Sequence, residues 1–205
     1  MPVTREASAA TADDAVAAAT AIGIPVVLKG VSRAVVHKSD LGLVRLNLRD
    51  EAALRGAFAD ITAALDRAAP GSSEGCVVQE MARGAAELFL GATHDAQFGP
   101  MVIVGAGGIL VEFLQDVRMA PAPVSAGTAR AMIETLRVAP LLHGLRGHPA
   151  ADLDAAADAL MRLSYLAADL GPRLVELDVN PLILRAAGQG AIAVDARATI
   201  KEETP

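Results

Sequence analysis

The chain has 205 residues, a hydrophobic share of 53% that is largely alanine, and a net charge of −6. That length is enough to bury a genuine core in one large domain or two small ones. An acidic balance with only four phenylalanines and one tyrosine excludes the basic face and aromatic platforms of a nucleic-acid binder, and no apolar run nears the ~20 residues that span a bilayer.

From the N-terminus, Met1-Pro-Val-Thr-Arg-Glu lacks the basic start and apolar core of a secretory signal, so the expected home is the cytosol. Thr11-Ala-Asp-Asp14 predicts a helix start, with alanines running on to Ala21 and a stop at Gly23. Ile24-Pro-Val-Val-Leu-Lys29 reads as a buried strand ending in a charge, and Gly30 to Gly42 as a loop. Val44 to Leu48 alternates as a half-exposed strand. Asp50 caps a predicted helix from Glu51 to Ala69, with Leu54, Phe58, Ile61 and Leu65 on one stripe and Pro70-Gly71 as its stop. Strands are expected at Gly75 to Glu80, Glu87 to Thr93, Met101 to Val104 and Ile109 to Phe113. The single cysteine, Cys76, falls in the first of these and excludes both an internal disulfide framework and a cysteine metal site. A proline-rich link, Ala120 to Val124, leads to a helix from about Ala126 to Leu136. The loop Leu141 to Pro149 precedes another helix, Asp152 to Asp169. Strands and helices in this mixed order predict an α+β fold.

The chain closes on a predicted hairpin. In Leu174-Val-Glu-Leu-Asp-Val-Asn-Pro181, strand alternation puts Glu176, Asp178 and Asn180 on one face and Val175, Leu177 and Val179 on the other. If the turn closes around Ala187 and Gly188, Leu182 meets Ala193, Ile183 meets Ile192, and Asn180 meets Asp195. Directly paired residues bring their side chains within about 5 Å. A carboxamide and a carboxylate so placed suit magnesium, which takes few protein oxygens and leaves room for phosphate. A polar face that simply meets water is the competing interpretation.

Three further segments carry candidate chemistry. Fifteen of the 18 cations are arginine, yet Lys29 and Lys38 lie nine apart, and lysine is the compact point-charge binder of phosphate. Lys29, Lys38, Ser39 and the loop that ends at Gly42 can cradle phosphate, and a neutral His37 beside Lys38 can attack a phosphoryl group. Glu80 and Met81 end a strand that can face a purine, and Glu87 can accept ribose hydroxyls. Gly107 and Gly108 allow close backbone approach to a ligand, although a tight hairpin explains them equally well.

Together these segments resemble a family. Pro25-Val-Val-Leu-Lys29, His37-Lys-Ser-Asp40, Val78-Gln-Glu-Met81, Glu87-Leu-Phe-Leu-Gly91, Phe98-Gly-Pro100, Gly105-Ala-Gly-Gly-Ile109, Gly144-Leu-Arg-Gly147 and Glu176-Leu-Asp-Val-Asn-Pro-Leu182 occur in the order seen in the ATP-grasp portion of nucleoside-diphosphate-forming acyl-CoA synthetases, relatives of succinyl-CoA synthetase. The resemblance implies an ATP-grasp fold with two lobes, about residues 1–80 and 81–205, holding nucleotide between them. It implies ATP or ADP with Mg2+ as ligands and CoA on a partner. Lys29 and the His37 to Gly42 loop, with Lys38 and Ser39, would meet the phosphates. Glu80 and Met81 would meet adenine, Glu87 the ribose, and Asn180 with Asp195 the metal. His37 matches a second phosphohistidine relay. The implied partner is a CoA-binding subunit or domain, in a hetero- or homo-oligomer, with no nucleic acid and no membrane.

Two departures stand out. Relatives carry an extra helix and strand before the segment matching Pro2-Val-Thr, so the chain is expected to be a fragment or a shortened subunit. Where the family often has two glycines after Asp40-Leu41, this chain has Gly42-Leu43, which puts close approach of that loop to phosphate in question. A carboxylate–amine ligase of the same fold and a non-catalytic nucleotide-sensing domain are the alternative functions.

Overall fold

The computed structural model describes residues 1–32, 42–108, 116–145 and 147–202. It divides into two compact units, Thr4–Met81 and a larger one formed by Met1–Val3 with Ala82–Pro205. The arrangement within both is α+β.

In the unit Thr4–Met81, strands β1 (Glu6–Ala9), β2 (Val26–Ser32), β3 (Val44–Leu48) and β4 (Ser73–Glu80) form an antiparallel sheet in the order β1-β4-β2-β3. Helices α1 (Ala12–Ile22) and α2 (Glu51–Ala68) pack on one face. Helix α1 starts where expected, because the Thr11 hydroxyl accepts from the Asp14 N–H at 3.1 Å and the Asp14 carboxylate accepts from the Thr11 N–H at 2.9 Å. The Asp50 carboxylate likewise accepts from the Ala53 N–H at 2.8 Å at the start of α2. The stripe Leu54, Phe58, Ile61 and Leu65 is buried against Val26, Leu28 and Val78. Full burial of such a side chain contributes about 1.5–3 kcal/mol.

Strand β2 differs from its sequence reading. It runs to Ser32 rather than stopping at Lys29, because Gly30 pairs with Cys76 and Ser32 with Ser73 across β4. Leu28 and Gly30 face the helices; a Cβ on Gly30 would stand 2.8 Å from Ile61 Cγ2. Alternation therefore turns Lys29 to the opposite face in mid-strand. Strand β1 was not foreseen, being four small or polar residues laid along β4.

The larger unit is an antiparallel sheet of β5 (Ala86–Asp95), β6 (Gly99–Ala106), β7 (Val117–Pro121), β8 (Leu174–Leu184), β9 (Ala191–Ala193) and β10 (Ala196–Ile200). Its order is β10-β8-β5-β6-β7, with β9 also on β8. Helices α3 (Ala126–Glu134) and α5 (Leu153–Leu170) cover one face, their Ala129, Ile133, Ala156, Leu160 and Leu163 packing on Leu88, Leu90, Val102 and Val104; α4 (Ala139–Leu142) is a single turn between them. Part of the expected proline-rich link is strand β7, whose Pro121 lies at the end of an edge strand, where a missing N–H costs no ladder bond. The expected strand Ile109 to Phe113 lies outside the described residues. No helix among the described residues is long and apolar enough to cross a membrane.

One capping residue ties helix to hairpin. Asp152, 8% exposed, accepts from Ala155 N at 3.0 Å and from Gly190 N at 2.7 Å, while its own N–H donates to Arg185 O at 2.9 Å. These backbone hydrogen bonds hold its carboxyl below the usual carboxylate range.

Candidate functional site

The last hairpin closes in the expected register. Gln189 N donates to Ala186 O at 2.9 Å around the pair Ala187-Gly188, and Gly188 has φ +78°. The ladder then pairs Leu184 with Ala191, Ile183 with Ile192 and Leu182 with Ala193. Beyond it, Val194 N donates to Pro181 O at 3.1 Å and Asn180 N to Asp195 O at 3.0 Å, before Val179 pairs with Ala196. Asn180 and Asp195 are thus opposite one another, and both are exposed.

Behind that rung, Asp178 pairs with Arg197 and Glu176 with Thr199. Burial raises the pKa of Asp178; Glu176 raises it further, Arg197 pulls it down, and Asp195 again raises it. Four charged groups therefore lie in electrostatic reach along one stretch of ladder. Val175 is not on a buried face as alternation alone predicts. It is 41% exposed, because the register shifts between Thr199 and Ile200 and bulges β8 there.

Asn180 and Asp195 fit magnesium in kind: hard oxygen donors, one neutral and one anionic, both exposed. Among the described residues no group of three or more His, Cys, Asp or Glu could hold a metal by itself. A cation here would share its ligands with a phosphate-bearing molecule.

A second juxtaposition joins candidates that the sequence presented separately. Leu88 pairs with Ala106, so the next rung brings Glu87 to Gly107, whose N–H donates to Glu87 O at 2.9 Å. A Cβ on Gly107 would lie 2.7 Å from the Glu87 carbonyl carbon, and one on Gly108 (φ +64°) 2.7 Å from Glu87 Oε2. These glycines let the chain lie flat against the exposed Glu87.

In the smaller unit, Lys29 is half-buried between Val44 and Val77 in the sheet. Glu80 ends β4, and its Oε2 accepts from Arg5 Nε at 3.1 Å and Arg5 N at 3.3 Å. Arg5 was not singled out from the sequence. Met81, half-buried, is the last residue of that unit. Gly42 has φ +66°, and its carbonyl accepts from Arg45 Nη1 at 2.5 Å. The departure at Leu43 has a packing reason: Leu43 is fully buried among the helix-face residues, against Gly30. It does not stand beside Gly42 on the loop's surface. His37, Lys38 and Ser39 lie outside the described residues.

Comparison with known proteins identifies the family and the fold. The family model described as an ATP-grasp domain matches residues 1–200. The chain is 43% identical over 192 residues to an ADP-forming acetate–CoA ligase I of Archaeoglobus fulgidus, covering 93% of this chain but 27% of that protein. It is 36% identical over 202 residues to the beta subunit of ADP-forming acetate–CoA ligase II of Pyrococcus furiosus, covering 98% of this chain and 86% of the subunit. Among solved structures, acetyl-coenzyme A synthetase 1 of Ca. Korarchaeum cryptofilum, in complex with coenzyme A, Ca-AMPCP and HgCl+, superposes with a TM-score of 0.90 at 40% identity over 98% of this chain and 86% of that one. A second structure of that enzyme, with Mg-AMPPCP and its phosphohistidine segment pointing towards the nucleotide binding site, gives 0.80 at 37% identity over 98% and 85%.

Proposed function

Because the chain belongs to the ATP-grasp domain family, we propose that it is the nucleotide-binding part of an ADP-forming acid–CoA ligase of the acetate–CoA ligase type. It binds Mg-ATP or Mg-ADP and exchanges phosphate with a phosphohistidine presented by a CoA-binding subunit or domain, within a cytoplasmic hetero- or homo-oligomer. The overall reaction is acyl-CoA + ADP + phosphate ⇌ acid + CoA + ATP. The observation that carries this reading is the opposed pair Asn180 and Asp195 on the closing hairpin.

Each residue has a physical task. In the half-reaction that makes ATP, the phosphohistidine P–N bond breaks as a β-phosphate oxygen of ADP bonds to phosphorus. Such transfer depends on alignment and on neutralising the oxygens' charge rather than on covalent help. Lys29, with Lys38, Ser39 and Gly42, supplies cationic and backbone donors to the phosphates. Asn180 and Asp195 hold the magnesium, which neutralises phosphate charge when bound. Glu80 and Met81 meet the base, and Glu87, steadied by Gly107 and Gly108, accepts from the ribose. His37 is the acceptor of a transient phosphoryl group.

Isothermal calorimetry on the purified chain should give Mg-dependent ATP and ADP binding. Full turnover should appear only on adding a CoA-binding partner, with acid-labile label from the γ-phosphate on His37. Turnover by the chain alone would refute the division of labour. Nucleotide binding without phosphate transfer, partner present, would favour a sensing domain.

A further inference from the structure

We propose that Arg197 is a phosphate-binding residue of this site, taking the terminal phosphate oxygens beside the Asn180/Asp195 pair. The proposal rests on the nucleotide reading above. Arg197 follows Asp195 by two positions and stands directly opposite Asp178, itself two positions from Asn180. Two residues of extended chain advance about 7 Å, a span that an arginine side chain covers.

Its surroundings differ from those of three helix arginines. Arg55, Arg130 and Arg162 each close an ion pair with a carboxylate four residues away on their own helices. Arg197 is exposed on edge strand β10 and, among the described residues, closes no salt bridge, although Asp178 faces it across the ladder. A permanently charged fork with five donors, left open beside a metal pair, matches the oxygens of a phosphate bidentately in a way the chain's lysines do not. The rest of the row is acidic, with Glu176, Asp178 and Asp195, so an incoming phosphate chain meets repulsion there that Arg197 offsets.

The rival role is neutralisation of Asp178 with no contact to ligand, and the test separates the two. Mg-ATP and Mg-ADP are titrated by calorimetry, and AMP by ligand-observed NMR, into the unmodified chain, Arg197→Ala, Arg197→Lys and the double variant Arg197→Ala/Asp178→Asn. Because Arg197 is exposed on an edge, all four should melt alike. A lost charge-assisted hydrogen bond predicts a ten- to hundred-fold drop in Mg-ATP affinity for Arg197→Ala, roughly. AMP binding should be unchanged, lysine should recover part of the loss, and the double variant should stay weak. Equal losses for ATP and AMP, no loss for either, or recovery of Mg-ATP binding in the double variant would each overturn the assignment. Failure of the unmodified chain to bind Mg-ATP at all would instead remove the nucleotide reading beneath it.

Discussion

Asp152 offers the sharpest check on how the fold supports the site. Its carboxylate caps α5 through Ala155 N and, from the other oxygen, holds Gly190 N at 2.7 Å in the turn of the last hairpin. Replacing it with alanine removes a cap, a loss of about 1 kcal/mol. It also strips a charged acceptor from the Gly190 amide, about 1.5–3 kcal/mol more. The expected cost is therefore about 2.5–4 kcal/mol, read from urea denaturation of the larger unit. Amides of the hairpin, Ile183 and Ile192 among them, should exchange faster, because the tether to α5 is gone.

The pH dependence of that cost follows from the same contacts. The folded-state pKa of Asp152 is lowered, by hydrogen bonds from Ala155 and Gly190 first of all. Its stabilisation is thus fully present above the unfolded-state value near 3.9, roughly, and is lost as pH falls through the folded value. The gap between wild type and Asp152→Ala should stay constant from neutrality to about pH 5 and close below about pH 4. A gap under about 0.5 kcal/mol at neutral pH, or one that widens on acidification, would refute the tether.

Three other outcomes are expected. Asp195→Ala should weaken ATP binding at least ten-fold, roughly the loss of one charged ligand contact, in magnesium but not in EDTA, by calorimetry. Gly107→Ala sets a methyl 2.7 Å from the Glu87 carbonyl carbon, where only backbone can give way; overpacking of that kind costs about 1–3 kcal/mol. Binding of ADP should fall with it, and binding of 2′,3′-dideoxy-ADP should fall less. Gly56→Ala should raise stability by about 0.5–1 kcal/mol, because Gly56 is inside α2 with nothing within 4 Å of an added Cβ. Thermal melts of the two forms measure it.

What the sequence disclosed follows from what produces each element. Helix α2 was legible because its buried stripe, its Asp50 cap and its stop are all local. The turn of the closing hairpin was legible for the same reason, with Ala187-Gly188 at its centre, whereas strict alternation misplaced Val175. Strands β1 and β10 left no such trace, since Glu6–Ala9 and, apart from Ile200, Ala196–Ile200 are small or polar residues made into strands by ladder bonds to a neighbour. Lys29 was placed at a strand end because Gly30-Val-Ser32 has no apolar alternation, yet β4 pairs with it regardless. The Arg5–Glu80 pair spans a separation of 75 residues, and no local pattern announces it. Glu87 with Gly107 stood between these cases. The β5–β6 register contains the pairing, but the sequence reading weighed the glutamate and the glycines apart.

The metal pair proposed above and the role proposed for Arg197 depend on one thing, the register of β8 against β9 and β10. That register is not set by the polar residues themselves. Leu182, Ile183 and Leu184 are buried on one arm and Ala191, Ile192 and Ala193 on the other. Leu182, Leu184, Ala191 and Ala193 belong to the core beneath the helices and Ile183 and Ile192 do not, so a slip of β9 by one residue would turn Ile192 into that core in place of the alanines and bring Val194 or Ala196 opposite Asn180 in place of Asp195. Burial of that apolar set is thus what aligns a carboxamide with a carboxylate, and an arginine with the face behind them. A magnesium site with only two protein ligands, as proposed, would need this fixity, because its remaining ligands would come from water and from phosphate. On that proposal, the hydrophobic pattern of the last hairpin matters to the chemistry as much as Asn180 and Asp195 do.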